Sequence, residues 1–193
     1  MKLIIASNNS HKIYEIKSIL GDKFEEILSL REAGVSHETV EDGSSFMENS
    51  LKKAREIAEI TGCAALADDS GLCVDSLGGA PGIFSARFAG EDDPKKRDAA
   101  NNSLLLKRLS GLSDRKAHFT CSVAVVYPDG REVTSEGYMM GEITDSPRGE
   151  CGFGYDPLFV PEGEDRTVAE MTDEEKNAIS HRANALKSLL SII

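Results

Sequence analysis

Four short stretches of the chain gather side chains capable of chemistry. Asp68-Asp69-Ser70-Gly71 sets two carboxylates side by side after the apolar run Ala64–Ala67, and a carboxylate pair at the end of a strand suits a hard cation such as Mg²⁺. Successive side chains on a strand point to opposite faces, so only one of the two acids aims into a given site. Ser7-Asn8-Asn9-Ser10-His11-Lys12 places hydroxyls, amides and a lysine where an apolar run gives way to a helical pattern. Backbone N–H groups and the dipole at a helix start favour an anion, although Asn and Ser there serve equally well as caps. In Gly149-Glu150-Cys151-Gly152-Phe153-Gly154-Tyr155-Asp156-Pro157, two aromatics sit among glycines and an acid, a composition that suits either base stacking or packed turn aromatics. The stretch from Glu174 to Arg182 supplies Lys176, His181 and Arg182, which hold phosphate or a carbonyl oxygen in one reading and form a charged helix face in the other. On one unbroken helix His181 and Arg182 would sit about 140° and 240° around from Lys176. The three meet one ligand only if the helix breaks near Ser180, with Ser180 capping a new helix.

The elements that must carry these groups follow from periodicity. Lys2 to Ala6 is a strand, and Ile13, Ile16, Ile19 and Leu20 follow at helical spacing. A second helix runs from about Phe46 to Thr61, with Ser45 and Glu48 spaced as a capping box and Gly62 as its stop. Ala64 to Ala67 forms a strand that ends at the acid pair. The glycine-rich segment from Gly78 to Gly90 is a loop whose Phe and Arg residues have something to pack or bind, and Asp93-Pro94 opens a third helix. Ala117 to Tyr127 alternates as a strand, turns at Pro128-Asp129-Gly130 and returns over Arg131 to Tyr138; a C-terminal helix carries Leu186, Leu189 and Leu190. This alternation indicates an α/β fold with a mixed sheet.

The chain has 193 residues, 40% hydrophobic and 28% charged, which fits one compact domain or two lobes sharing one sheet. Asp and Glu number 33 against 22 Lys and Arg, a net charge of −11 spread along the chain; this argues against a nucleic-acid partner, which needs a basic face. Cys63, Cys73, Cys121 and Cys151 have no C-x-x-C spacing and read as reduced structural thiols. The N-terminal apolar run is too short for a signal peptide and no stretch reaches the length of a membrane span, so a soluble, cytoplasmic protein is expected. Sequence signatures of P-loop and Rossmann nucleotide sites, of zinc proteases and of the nucleophile elbow are absent.

Taken in order, SNNSHK, SFMENSLKKA, ADDSGL, GGAPGIFSARFAG, GFGYDP and AEMTDEEKNAISHR resemble the inosine triphosphate pyrophosphatase family, the non-canonical purine NTP pyrophosphatases, over essentially the whole chain. The resemblance implies an α/β fold, residues 1–193 forming a single domain, in which an elongated mixed sheet with helices makes two lobes around a central cleft. It also implies a homodimer and Mg²⁺-dependent hydrolysis of ITP, dITP and XTP to the monophosphate and pyrophosphate. Carried over by position, Ser7, Asn8, Asn9, Ser10, His11 and Lys12 grip the triphosphate, with Lys53 on the phosphate side. Asp69 ligates Mg²⁺ and acts as general base, and Glu41 matches the second metal-binding acid, with Glu48 a further candidate whose capping-box position already accounts for it. Ser70, Phe153, Gly154, Tyr155, Asp156, Lys176, His181 and Arg182 match substrate-binding positions. Three other readings stay open: a pyrophosphatase for other modified nucleotides, a non-catalytic nucleotide-binding regulator, and an acidic structural or interaction protein.

Overall fold

The computed structural model describes residues 1–193, the side chain of Asp22 excepted. Its elements are β1 (Lys2–Ile5), α1 (Ser10–Leu20), β2 (Glu26–Ser29), α2 (Phe46–Thr61), β3 (Ala64–Val74), α3 (Pro94–Leu109), β4 (Lys116–Val126), β5 (Glu132–Ile143), β6 (Phe159–Pro161), α4 (Asp173–Ile179) and α5 (His181–Leu190), with short 3₁₀ turns between them. The strands form one sheet in the order β2-β1-β3-β4-β5-β6. β1 pairs in parallel with β2 and β3, whereas β5 and β6 are antiparallel, so the α/β class and the mixed sheet expected from the sequence are present.

The chain divides into two compact units. The first comprises Met1–Asp69, Cys121–Gly137 and His181–Ile193; the second comprises Ser70–Thr120 and Tyr138–Ser180. Inside the first, the period-2 alternation of the strands sorts side chains onto two covered faces. Leu3, Ile5, Leu66, Cys121, Val123 and Val125 pack with Ile16 and Leu20 of α1 and Leu186 and Leu189 of α5. The alternate residues Ile4, Ala65, Ala67, Ala124 and Val126 pack with Ala54, Ile57 and Ala58 of α2. Burial on both faces is why these strands read as nearly continuous apolar runs. The second unit has its own core, in which Leu72 and Val74 of β3 meet Leu105 and Leu109 of α3, and the Phe119 and Phe159 rings lie 4.7 Å apart and tilted by 59°. Among the described residues no helix is long and apolar enough to cross a membrane.

Local signals place the helix ends. Asn9 caps α1, accepting from the His11 and Lys12 amides, Ser45 caps α2 by accepting from Glu48 N, and Asp93 caps α3 by accepting from Lys95 N. The capping box at Ser45 is only half made, because the Glu48 carboxylate accepts instead from Ser44 N and Oγ at 2.7 and 2.8 Å. The strands differ from expectation in three ways: β3 does not stop at Ala67 but runs on through both acids to Val74, β5 continues past Tyr138 to Ile143, and the short strands β2 and β6 had no counterpart in the periodicity.

Gly137 on β5 marks a close approach. A Cβ there would lie 2.2 Å from Ala185 N and 2.3 Å from His181 O, both backbone atoms of α5 that cannot move singly. Gly137→Ala is therefore expected to lower unfolding free energy by about 1–3 kcal/mol, read as a lower urea midpoint by circular dichroism.

Candidate active site

The acid pair of β3 is split by the pleat. Asp68 shares its parity with Ala64 and Leu66 and faces α1 and α5, whereas Asp69 shares its parity with Ala65 and Ala67 and faces α2. Asp68 Oδ2 lies 2.9 Å from Lys12 Nζ and accepts from Arg182 Nε at 3.1 Å, and Arg182 Nη1 donates to Glu15 of α1. Burial alone would raise the pKa of Asp68, but the charges of Lys12 and Arg182 outweigh it and hold the carboxyl well below its usual range. Asp68 and Arg182 are both buried, Arg182 to 1% exposure, so this ionised group is held among cations and is poorly suited to accept a proton. Cys121 lies beside it, and its thiol is pushed up to about 12 by burial and by the charge of Asp68.

Asp69 has the opposite electrostatics. Burial raises its pKa, and Lys53 and Lys12 only partly counter this. Its Oδ2 accepts from Asn49 Nδ2 at 3.1 Å, and Oδ1 lies 3.5 Å from Lys53 Nζ. Lys53 also donates to Glu41 Oε1 at 2.7 Å and to the Asp68 carbonyl at 2.8 Å. Burial would lower the pKa of Lys53, but the charges of Asp69, Asp68 and Glu41 raise it, which keeps it an ammonium. One cation thus joins Glu41, from the segment before α2, to Asp69 on the strand.

These two carboxylates fit Mg²⁺. Burial raises the proton affinity of Asp69, and the two acids would supply only part of a coordination shell, since no group of three or more His, Cys, Asp or Glu able to hold a metal occurs among the described residues. Mg²⁺ is commonly held by one or two carboxylates, with waters and substrate phosphates completing the shell.

At the start of α1, Asn8, Asn9, Ser10 and His11 are exposed, and Ser7 and Lys12 are partly buried. The cap occupies part of the helix terminus: Asn9 Oδ1 accepts from the His11 and Lys12 amides at 3.0 and 3.2 Å, and Ser7 Oγ accepts from Asn9 N at 3.2 Å. Capping and exposed polarity therefore coexist in this turn, where the sequence had offered them as alternatives.

In the second unit, the Phe153–Asp156 run is built around one carboxylate. Buried Asp156 accepts from Phe153 N at 2.9 Å and from Lys176 Nζ at 2.8 Å, and Lys176 Nζ stands 4.5 Å from the centre of the Phe153 ring. Asp98 and Asn102 of α3 hold Gly154 by its N–H and its carbonyl, at 2.8 and 3.0 Å. The same turn lines a pocket of about 520 Å³ with Asn102, Leu106 and Phe153 among its walls, within the usual range for small-molecule sites. Tyr155 is directed away from such a role, because its buried hydroxyl donates to Ser85 O at 2.8 Å and burial, with the charge of Asp98, raises its pKa. Ser85 in turn accepts from Leu72 N at 2.9 Å, so the glycine-rich loop packs as a scaffold under Tyr155. The helix break that a ligand shared by Lys176, His181 and Arg182 would need is present: α4 ends at Ile179, Ser180 is extended, and α5 starts at His181. Ser180 closes α4, its N–H donating to Lys176 O at 2.8 Å.

The expected site residues thus gather into local groups. Lys12 with Arg182, and Glu41 with Lys53 and Asp69, lie in the first unit; Ser70, Phe153, Gly154, Tyr155, Asp156 and Lys176 belong to the second, and His181 is buried in the first. Polar residues outside the expected set also take part: Glu15 and Asn49, both buried, in the first unit, and Asp98 and Asn102 around Gly154 in the second. Glu15 carried one faint signal, an acid on the helix three residues after Lys12.

Comparison with known proteins agrees over the full length. The Ham1 family model matches residues 3–192. A dITP/XTP pyrophosphatase of Streptomyces coelicolor is 47% identical, covering 100% of this chain and 96% of its own. The solved structure of a HAM1 protein from Coxiella burnetii superposes with a TM-score of 0.90 at 40% identity, covering 100% of this chain and 98% of that one. A nucleoside-triphosphatase / dITP/XTP pyrophosphatase from Mycobacterium abscessus matches with a TM-score of 0.79 at 46% identity over 100% of both chains. With the family model matched from end to end and such relatives aligned throughout, this chain belongs to the Ham1 family.

Proposed function

We propose that this protein hydrolyses damaged purine nucleoside triphosphates (dITP, ITP and XTP) to the monophosphate and pyrophosphate, with Mg²⁺. In this reading residues 1–193 act as one domain, in the cytoplasm and as a homodimer, on free nucleotides and not on nucleic acid. The observation that carries the proposal is the electrostatic split of the acid pair: Asp68 is held as a carboxylate by Lys12 and Arg182, while Asp69 has a raised proton affinity beside Glu41 and Lys53. A general base works best when its pKa approaches the working pH, and Asp69 is shifted in that direction.

Asp69 takes the proton of the attacking water, and Lys53 limits the repulsion between Asp69, Glu41 and an incoming polyanion. Mg²⁺ held by Glu41 and Asp69 would lower the pKa of bound water and offset phosphate charge that a −11 protein otherwise repels. Ser7, Ser10 and Lys12 supply polar and cationic contacts for the phosphates. Phe153 packs its ring beside the base, and Lys176, whose Nζ covers one face of that ring, supplies a donor. Inosine and xanthosine carry an oxygen at purine position 6 where adenosine carries an amino group. A donor there is satisfied by the first two and left unpaired by the third, a mismatch that discriminates by roughly 10⁴ when buried.

Pyrophosphate release with Mg²⁺ tests the reading. Fast release from dITP, ITP and XTP is expected, with ATP slower by at least about 10². Equal rates on ATP and dITP would remove the base preference, and release confined to modified pyrimidine triphosphates would favour a different house-cleaning substrate.

A further inference from the structure

Residues 37–44, which carry Glu41, lie along one stripe of α2. His37 Nε2 and Thr39 Oγ1 meet Glu56 Oε2 at 2.7 and 2.6 Å, Asp42 meets Lys52 at 2.6 Å, Glu41 meets Lys53 at 2.7 Å, and Ser44 meets Glu48 at 2.7 Å. The remaining contact has a second consequence. Gly43 N donates to Asn49 Oδ1 at 2.9 Å, while Asn49 Nδ2 donates to Asp69 Oδ2 at 3.1 Å. The amide orientation is chemically determined: Gly43 N–H can only donate, so the oxygen must face it and the NH₂ must face the carboxylate. Asn49 is 1% exposed, and the fit is tight, since a Cβ at position 43 would fall 2.6 Å from Asn49 Oδ1 and 2.9 Å from Glu48 Cβ. Lys53, one helical turn further on, braces Glu41 and Asp69 by charge.

We propose that Asn49 is a positioning residue that ties the segment bearing Glu41 to the carboxylate of Asp69, setting both acids in register through one buried amide. The inference rests on the reading of Asp69 as base and Glu41 as metal-binding acid. A fixed NH₂ on Oδ2 prevents the carboxylate from turning about its χ2 axis, and the amide oxygen holds the 41–43 backbone at one height along α2. Groups that orient metal-binding and proton-accepting residues in this way are each worth about 10- to 100-fold in affinity or rate.

Two variants separate the halves of the proposal. Asn49→Ala removes both bonds, whereas Asn49→Asp keeps an acceptor for Gly43 N and loses the donor to Asp69. Amide exchange at Gly43, followed by NMR without metal or nucleotide, should accelerate in Asn49→Ala and stay slow in Asn49→Asp. In both, kcat for dITP should fall by about 10- to 100-fold while KM stays within about threefold. Wild-type kcat in folded Asn49→Asp would overturn the link to Asp69, and unchanged Gly43 exchange in Asn49→Ala would overturn the link to the segment. If Asn49→Ala does not fold, Asn49→Asp decides on kcat alone. Wild-type protein and Asp69→Asn are assayed alongside: an inactive wild type, or Asp69→Asn as fast as wild type, would remove the underlying reading of the site instead.

Discussion

Replacing Asp69 by Asn is expected to lower turnover of dITP by at least about 10², the low end for losing a positioned proton acceptor, with the fold intact. The change is nearly isosteric, and the new side-chain oxygen can still accept from Asn49. Stability should hold or rise. The folded-state pKa of Asp69 is raised above its ordinary 3.8, so the ionised form is disfavoured by folding at neutral pH, and an uncharged side chain escapes that penalty. The expected pattern is therefore a dead enzyme with an unchanged or higher melting temperature by circular dichroism. Near wild-type turnover would take Asp69 out of the chemistry, and a collapse of stability would show that its charge is needed by Lys53 more than its burial suggests. Asp68→Asn gives the contrast: because Asp68 balances Lys12 and Arg182, its loss should be felt first in stability.

The parts of this molecule that were legible in its sequence are those whose causes are local. Asp93-Pro94 opens α3 and Ser45 opens α2 because a cap and its amides lie within a few residues of one another. The break at Ser180 was the condition that helix geometry set for Lys176, His181 and Arg182 to share one ligand. The apolar run alone places the end of β3 at its acids. The strand continues because Arg182, 114 positions away, and Lys12 neutralise Asp68 from one face while Asn49, 20 positions away, engages Asp69 from the other. Asn49 was invisible, and Glu15 nearly so, for the same reason: an acid and an amide on helix faces look like surface until partners distant in the chain are in place. The family resemblance carried Arg182 over as a substrate contact; its ion pairs give it the prior task of holding Asp68.

That task leads to the largest expected effect on stability. Arg182 is 1% exposed and spans two buried carboxylates, with Nε on Asp68 and Nη1 on Glu15. Arg182→Ala would leave both with fewer cations in a low-dielectric interior, a change that typically destabilises by about 3–5 kcal/mol, measured by urea unfolding at pH 7. The pH dependence identifies the cause. In the wild type the folded-state pKa of Asp68 is depressed, so its contribution is present above its ordinary 3.8 and is lost only as pH falls through the lower folded value. Without Arg182 that depression weakens while Lys12 remains, so the deficit should hold from pH 7 to about 5 and shrink only as pH falls into the carboxylate range near 3.8, where the variant takes up its proton first. A deficit independent of pH would point to lost packing of the Arg182 stem, and one under about 1 kcal/mol would mean that the pairs behave as solvated surface bridges do. Replacing Arg182, Asp68 and Glu15 together by apolar residues should recover most of the stability while abolishing turnover, because the network would then serve to fix β3, α1 and α5 in register around Asp68 so that Asp69, one residue on and facing the other way, is presented toward α2.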